Sequence, residues 1–552
     1  MDIASELKAV FSGDIDSTDE TRDFYSHDAS LFELKPQVVV FPKDSNDLQQ
    51  LVRWVVAHKD DVPGLSITPR SAGTDMSGGA IGESIVADMT KYMNAVSEVS
   101  ATAAHTQPGV YFRDFDAKTL EHNALFPSYP ASRDLCTIGG MIANNSGGEK
   151  SLEYGKTANY VTELKVIFAD GNEYTVVPLK KDELVRKMSQ GDYEGELYKQ
   201  TFELLEKHYD EIQAAKPNVS KDSTGYHLWD VWNRESGIFD LTKLIVGSQG
   251  TLCIVTDIQV KLVPRRPHSG LLVLFLRDIG KLGDLITKVL AHHPATFEGF
   301  DDTTLLLSIK FMPYFLKMLG PVKFIGLCLG LLPDGIQLLK GIPKMVLMVE
   351  FNGETEDEVR DKIQALHREL KDHRARYEIN GFEEDATEGK SEKFWIMRRH
   401  SFNLLRKKVK DKHTAPFIDD FIVPPQHLPE FLPKLREIIK RYKLFATVQG
   451  HVGDGNFHVI PLMEIEKEEE RAKLQPAMKE VNTLVLKYGG SLSGEHNDGM
   501  VRGPWLETQY GSEVFGHMKA VKAIFDPTNI FNPHKKTDAD WDFSFSHIRQ
   551  HF

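Results

Sequence analysis

A chain of 552 residues is too long to close on one hydrophobic core, so two or three domains are expected. The content of 41% hydrophobic and 26% charged residues is that of a soluble globular protein, and 66 Lys and Arg against 80 Asp and Glu, a formal charge of −14, argue against nucleic acid as a partner. Three widely spaced cysteines, Cys136, Cys253 and Cys328, exclude a disulfide framework and a cysteine-ligated iron–sulfur or zinc module. A reducing interior, the cytoplasm, is the expected compartment. The start, Met1-Asp2-Ile3-Ala4-Ser5-Glu6, lacks a basic segment followed by an apolar run, and no apolar stretch has the length of a bilayer crossing.

In chain order, residues 1–35 read as a helical lead-in ending in a polar loop at 25–30. A strand over 38–42 follows, then a helix over 44–58 with Leu48, Leu51, Val52, Val55 and Val56 at helical spacing behind an Asp/Ser-rich start. A second strand, 65–68, enters the loop Pro69-Arg70-Ser71-Ala72-Gly73-Thr74-Asp75-Met76-Ser77-Gly78-Gly79. Its small residues can turn backbone N–H groups inward as a nest for an anion such as a diphosphate. The loop is neither G-x-G-x-x-G nor G-x-x-x-x-G-K-S/T, which disfavours a nicotinamide site and a nucleoside triphosphatase. The segment 127–148, with Ile138-Gly139-Gly140 and Asn144-Asn145-Ser146-Gly147-Gly148, has almost no long side chains, so a flat ligand could lie against its backbone. A third such piece is 246–255, with Gly250, Ile254 and Val255. Between them, 164–168 and 174–177 flank Asp170-Gly171-Asn172, a hairpin signal, and 180–240 reads as charged helical cover for the sheet.

The pattern restarts after Pro264-Arg265-Arg266-Pro267. Strands over 270–276 and 344–351, each followed by a helix (278–292 and 354–370), suggest an antiparallel sheet backed by helices. Between them, 305–342 is apolar with lysines at 310, 317, 323 and 340; it reads as packed cap helices or, in the alternative, as a peripheral contact with the inner face of a membrane. Further on, Gly450-His451-Val452-Gly453-Asp454-Gly455-Asn456-Phe457-His458 reads as two strands joined by a turn at 453–456. With that turn His451 faces His458, and both imidazoles leave one face of the sheet, close enough to grip one divalent ion. Glu495, in Ser493-Gly494-Glu495-His496-Asn497-Asp498-Gly499, could add an oxygen ligand, with His496 a non-ligand imidazole placed to act as base. Taken alone, the histidines read more simply as a water-satisfied cross-strand pair.

The three small-residue segments, in this order and spacing, resemble the FAD-binding domain of the vanillyl-alcohol oxidase/p-cresol methylhydroxylase superfamily. The paired C-terminal motifs resemble its D-2-hydroxy-acid dehydrogenase branch, which contains D-lactate dehydrogenases, the glycolate oxidase flavin subunit and D-2-hydroxyglutarate dehydrogenase. The resemblance implies an α+β fold: a two-subdomain FAD-binding domain of p-cresol methylhydroxylase type over 1–265, a substrate or cap domain with the metal site over 266–500, and a segment over 501–552 returning to the flavin domain. It implies that Arg70, Ser71, Ala72, Gly73, Thr74, Asp75 and Ser77 hold the FAD pyrophosphate. Pro127, Thr137, Ile138, Gly139, Gly140, Asn144, Ser146 and Gly147 would line the flavin and ribityl chain, Gly250, Ile254 and Val255 the adenine side, and Asn532 the isoalloxazine. The first loop has no counterpart of the histidine that some relatives attach to the flavin, so FAD is expected to be non-covalent.

By the same resemblance, Arg398 of Phe394-Trp395-Ile396-Met397-Arg398 would bind a substrate carboxylate. The alternative is pairing with a local acid. The threonine that follows in 2-hydroxyglutarate enzymes is Phe402 here, and their lysine before the Asp-x-x-x-Pro run is Asp419, which points to a smaller or more apolar acid. The closing D-P-x-x-x-x-N-P-G-K motif is kept with His534 in place of its glycine. The implied reaction is FAD-dependent oxidation of a D-2-hydroxy acid at a zinc-like divalent ion held by His451, His458 and Glu495, with His496 as base and a quinone or electron-transfer protein as acceptor. Two rival readings are a metal-independent flavin oxidase of the superfamily and a flavin-binding electron-transfer subunit.

Overall fold

The computed structural model describes residues 2–310, 341–385, 393–398 and 412–550. Three sheets carry the architecture. The first has four strands in the order Asp14–Asp16, Val38–Phe41, Ile85–Asp88, Ile67–Arg70; the last three run parallel. The run Val38-Val39-Val40 is buried on both faces, as β-branched residues are in parallel sheets. Helix Ser45–His58 starts at Asp44, whose carboxylate accepts the Asp47 N–H at 3.1 Å. Its Leu48, Leu51, Val52 and Val55 pack on this sheet. The strand expected at 65–68 is set two residues later, because Ile67 pairs with Ile85 and Arg70 with Asp88.

The second sheet is antiparallel, ordered Val96–Ser97, Ala103–Thr106, Ile254–Lys261, Val161–Ile167, Glu173–Val176. The hairpin at Asp170-Gly171-Asn172 forms as expected: Gly171 has φ +74°, and the Asp170 carboxylate accepts the Asn172 N–H. The C-terminal helix, Leu506–Phe525 with a break at Gly511, buries Val514, Met518, Val521 and Phe525 in the core beneath this sheet. The chain then returns to the first sheet, where Phe531 bridges Ile67 in parallel.

The third sheet has eight antiparallel strands. Ile379–Asp385, His268–Leu276, Met345–Gly353, Thr296–Asp301, Phe445–His451 and Asn456–Met463 follow one another across it. The strand period of two decides which side chains meet the helices and which meet the front half. Leu272, Leu274, Leu276, Leu347, Val349, Phe297, Val448 and Val459 face the helices Leu282–Leu290, Glu356–Asp372, Leu428–Arg441 and Leu474–Lys487 in one large core. Leu271, Val273, Phe275, Val346, Met348 and Phe300 face the other way, where Phe394 and Met397 of the helical residues 393–398 cover them. Each such aliphatic or aromatic side chain taken fully from water stabilises the fold by about 1.5–3 kcal/mol. No helix among the described residues is long and apolar enough to cross a membrane. Residues 311–340, which hold most of the apolar, lysine-bearing segment, and Phe402 lie outside the described residues.

Candidate active site

The register of the histidine hairpin differs from the expected one. His451 lies opposite Asn456, and Gln449 opposite His458, so the loop is 452–455 rather than 453–456. Gly455 takes φ +76° there, and a side chain on it would strike the Val423 carbonyl at 2.0 Å. The shift moves the pairing by two residues, which preserves the face: both rings still leave the same side, but diagonally, with centroids 5.4 Å apart. Glu495 Oε1 sits between them, 3.1 Å from Nε2 of each.

Outer carboxylates hold the far nitrogens. Glu298 Oε1 is 2.5 Å from His451 Nδ1, placed by the pairing that sets Gly299 against Gly450. Asp419 Oδ1 is 3.2 Å from His458 Nδ1, and its Oδ2 is 2.7 Å from His496 Nδ1. One buried carboxylate therefore orients both rings, which stack at 4.9 Å with 22° between planes. On the far side Lys221 Nζ lies 3.3 Å from Glu495 Oε2 and 3.6 Å from Asp454 Oδ2. Burial disfavours charge on His458, His451 and Glu495, yet their partners prevail. His458 is pushed up to about 10 by Asp419 and Glu495 against burial, His451 is raised by Glu298 against burial, and Glu495 is held well below the carboxylate range by Lys221 and His451.

The Glu495–His496 turn is pinned from below. Asp420, at φ +68°, accepts the N–H groups of Glu495 and His496 and the Ser493 hydroxyl. Asn497, at φ +67°, donates to Asn144 O and Gly247 O, and Gly499 N–H donates to Gln249 Oε1. Lys156 Nζ bonds Gly494 O at 2.9 Å. Left-handed conformations at Asp420 and Asn497 cost energy that this dense bonding holds in place.

These bonds seat the ionic cluster directly on the small-residue segments. A Cβ added to Gly147 would lie 3.4 Å from Glu495 Oε2. A single cavity of about 760 Å³ runs from Asp28, Arg70 and Thr74 past Gly139 and Gly140 to His451, His458, Glu495 and His496. Of the residues expected to hold FAD, Arg70, Ser71, Ala72, Gly73, Thr74, Asp75, Thr137, Gly139, Gly140, Asn144, Ser146, Gly147, Gly250 and Val255 line this cavity. Ser77, Pro127, Ile138, Ile254 and Asn532 do not. Ile138 and Ile254 point into apolar cores, since alternate residues of the same segments must fill them. Ser77 bonds the Asp75 carboxylate, Pro127 is buried, and Asn532 donates to Gly79 O and Gln249 O at 2.8 Å, tying the C-terminal segment to the loops from behind. Arg70 is also more structural than expected: its guanidinium donates to Tyr25 O and Ala80 O beneath Gly73.

The cavity fits FAD where glycine lets a ligand reach backbone. Gly139 and Gly140 both line it: a Cβ on Gly139 would strike Pro108 at 2.6 Å, one on Gly140 would meet only Thr137 Oγ1 at 3.3 Å, and helix Ile138–Asn144 starts there behind its Thr137 cap. The ionic cluster fits a divalent cation by the chemistry of its donors. Each imidazole has a carboxylate on Nδ1, the arrangement that directs Nε2 toward a metal, and both Nε2 atoms converge on Glu495. The ligand atoms that all lie within 4.8 Å of one another are those of Asp420, His458, Glu495 and His496, without His451, and backbone donors already occupy the Asp420 carboxylate. Arg398 lines the same cavity, with Nε and one terminal nitrogen on Glu298 Oε2 at 3.1 and 2.9 Å.

Glu298, Asp419, Lys221 and Asp28 escaped the sequence reading as site residues. The signal available was weak but present: Glu298 interrupts the apolar strand Thr296–Asp301, and Asp419-Asp420 interrupt an otherwise apolar run.

Two family models match the chain. FAD linked oxidases, C-terminal domain, covers 265–536, and FAD binding domain covers 36–176. The chain carries a C-terminal domain of FAD linked oxidases and an FAD binding domain. It is 26% identical over 528 residues to the D-2-hydroxyglutarate dehydrogenase of Pseudomonas putida, covering 95% of this chain and 50% of that protein. It is 28% identical over 531 residues to the glycolate oxidase subunit GlcD of Bacillus subtilis, covering 94% and 93%. The chain thus spans about half the length of the first-ranked of its curated relatives and nearly all of GlcD. Substrate-bound p-cresol methylhydroxylase superposes with a TM-score of 0.66 at 14% identity, over 98% of this chain and 96% of the other, which shows the shared fold.

Proposed function

We propose that this protein dehydrogenates a small D-2-hydroxy acid, of lactate or glycolate size, to the 2-oxo acid. Residues 1–265 hold the flavin, 266–500 carry the substrate site, 501–552 close back on the front half, and a quinone or electron-transfer protein takes the electrons. The carrying observation is the continuity of one cavity from the glycine-lined wall to the His451, His458, Glu495 and His496 cluster. The names of the relatives, a 2-hydroxyglutarate dehydrogenase and a glycolate oxidase subunit, support the substrate class. When bound, FAD supplies a two-electron acceptor, and a zinc-class ion on His451, His458 and Glu495 supplies Lewis acidity at the substrate hydroxyl.

Arg398 receives the substrate carboxylate, and its contacts to Glu298 set the plane of the guanidinium. His496 takes the hydroxyl proton at Nε2, because Asp419 occupies Nδ1 and holds the ring against His458. With that proton gone, the α-carbon can release its hydrogen with the bonding electron pair, and the carbonyl of the 2-oxo acid forms. Anaerobic titration of the purified protein with a panel of D-2-hydroxy acids tests the reading. Bleaching of the flavin by one small acid and not its L-enantiomer is expected; no bleaching by any would leave an electron-transfer subunit. Full activity after exhaustive chelation would instead point to a metal-independent oxidase.

A further inference from the structure

A second cluster of metal-ligand side chains lies away from the cavity, where the C-terminal helix crosses the front half. His208 ends the helix Tyr193–Lys207, and Glu211 follows three residues later in Tyr209–Ala214. His517 lies on the C-terminal helix Leu506–Phe525. His208, at φ −112° between the two front helices, and Glu211 in the helix that follows both face His517 on the C-terminal helix. Glu211 Oε2 is 3.1 Å from His517 Nε2 and 3.5 Å from His208 Nδ1. Tetrahedral zinc with bonds of about 2.0–2.1 Å has ligand atoms ~3.3 Å apart, so both separations suit a shared ion.

Hydrogen bonding alone leaves two features unexplained. The two imidazole rings lie only 4.0 Å apart, both facing one carboxylate. Glu211 Oε1 is shielded from solvent with no hydrogen-bond partner. A divalent ion would answer both at once. The position suits a staple, since Leu205 and Ile212 already share a core with Val514 and Met518.

We propose that His208, Glu211 and His517 form a second divalent-metal site that takes a zinc-class transition-metal ion and clamps the C-terminal helix to the front half. None of the three lines the flavin cavity, and the site does not rest on the reading of the active site. To test it, the FAD-loaded protein is stripped with chelator and dialysed against Zn²⁺ alone, and bound zinc is counted by elemental analysis. His517→Ala and Glu211→Gln should each bind one ion fewer per chain than the wild type, with flavin reduction by substrate unchanged. In a His451→Ala background, Zn²⁺ should raise the melting temperature by several degrees, and adding His517→Ala should remove that shift. If the active site takes no ion, every count falls by one but the difference between wild type and His517→Ala persists. Equal zinc content in wild type and both variants, or a melting shift that survives His517→Ala, overturns the proposal. Glu211→Gln keeps the side chain's size and decides the matter should His517→Ala fail to fold.

Discussion

At the front wall of the cavity, Gly139 packs on Pro108 with no room for a methyl group, and Gly140 and a capped helix start bring backbone to the lining. At the sheet wall, every decisive contact joins ionisable side chains: Glu298 to His451, Asp419 to His458 and His496, Lys221 to Glu495. The first wall works by absence of side chains and tolerates little steric change. The second works by paired charges, each of which is costly to bury without its neighbour. A change of shape should therefore damage the front wall, and a change of charge the sheet wall.

The sharpest break in that contrast is His496→Ala, which removes the proton acceptor and leaves the glycine wall intact. Flavin reduction by substrate should fall ~10²–10⁴-fold while the protein stays yellow; reduction at the wild-type rate would remove His496 from the mechanism. Next comes Asp419→Ala, which frees two rings at once and should cost roughly 10–100-fold in metal affinity or turnover, with Asp419→Glu recovering part of it. Turnover equal to wild type in Asp419→Ala would mean that His458 and His496 are oriented by other contacts. Arg398→Lys keeps the charge and loses the fork, so KM should rise about tenfold with kcat little changed; a fall in kcat alone would place Arg398 elsewhere in the reaction. On the front wall, Gly139→Ala should cost about 1–3 kcal/mol of stability and weaken FAD retention, seen as flavin loss on gel filtration. Unchanged retention would show that this backbone does not touch the cofactor.

The smallest effect expected concerns Asp28, where a charge intrudes on the neutral wall. Its carboxyl is pushed up to about 7, first by burial and then by Asp75. A carboxyl with a higher pKa in the fold keeps a proton that the unfolded chain has released. Its contribution is therefore favourable below about 3.8 and lost as pH rises through about 7. Asp28→Asn should raise the melting temperature at pH 8, with the gain shrinking toward pH 4. A gain equal at both pH values would show that the effect is not electrostatic.

Much of this was legible in the chain. Continuous apolar runs marked the buried strands at 270–276 and 344–351, the Asp-Gly-Asn turn marked the hairpin, and the small-residue segments marked one wall of the cavity, because an apolar run, a turn signal and a run without side chains are local properties. The hairpin loop has the expected four residues but begins one residue earlier, which shifts the pairing by two, because Gly455, whose carbonyl accepts the distant Val423 N–H, takes the left-handed position. Ile138 and Ile254 share segments with residues that line the cavity but face apolar cores, and Asn532 bonds Gly79 and Gln249, placements that motif membership alone does not reveal.

The amino-acid order by itself determined the elements, the face from which His451 and His458 project, and the glycines that keep one wall bare. Those follow from periodicity and from the presence or absence of a Cβ, which each residue carries wherever it is placed. Only the folded chain decided that Glu298, 153 residues before His451, would orient it, and that Asp419 would serve two rings. Buried charges persist only where distant partners meet them, and that pairing is set by sheet register and domain contact rather than by any local pattern.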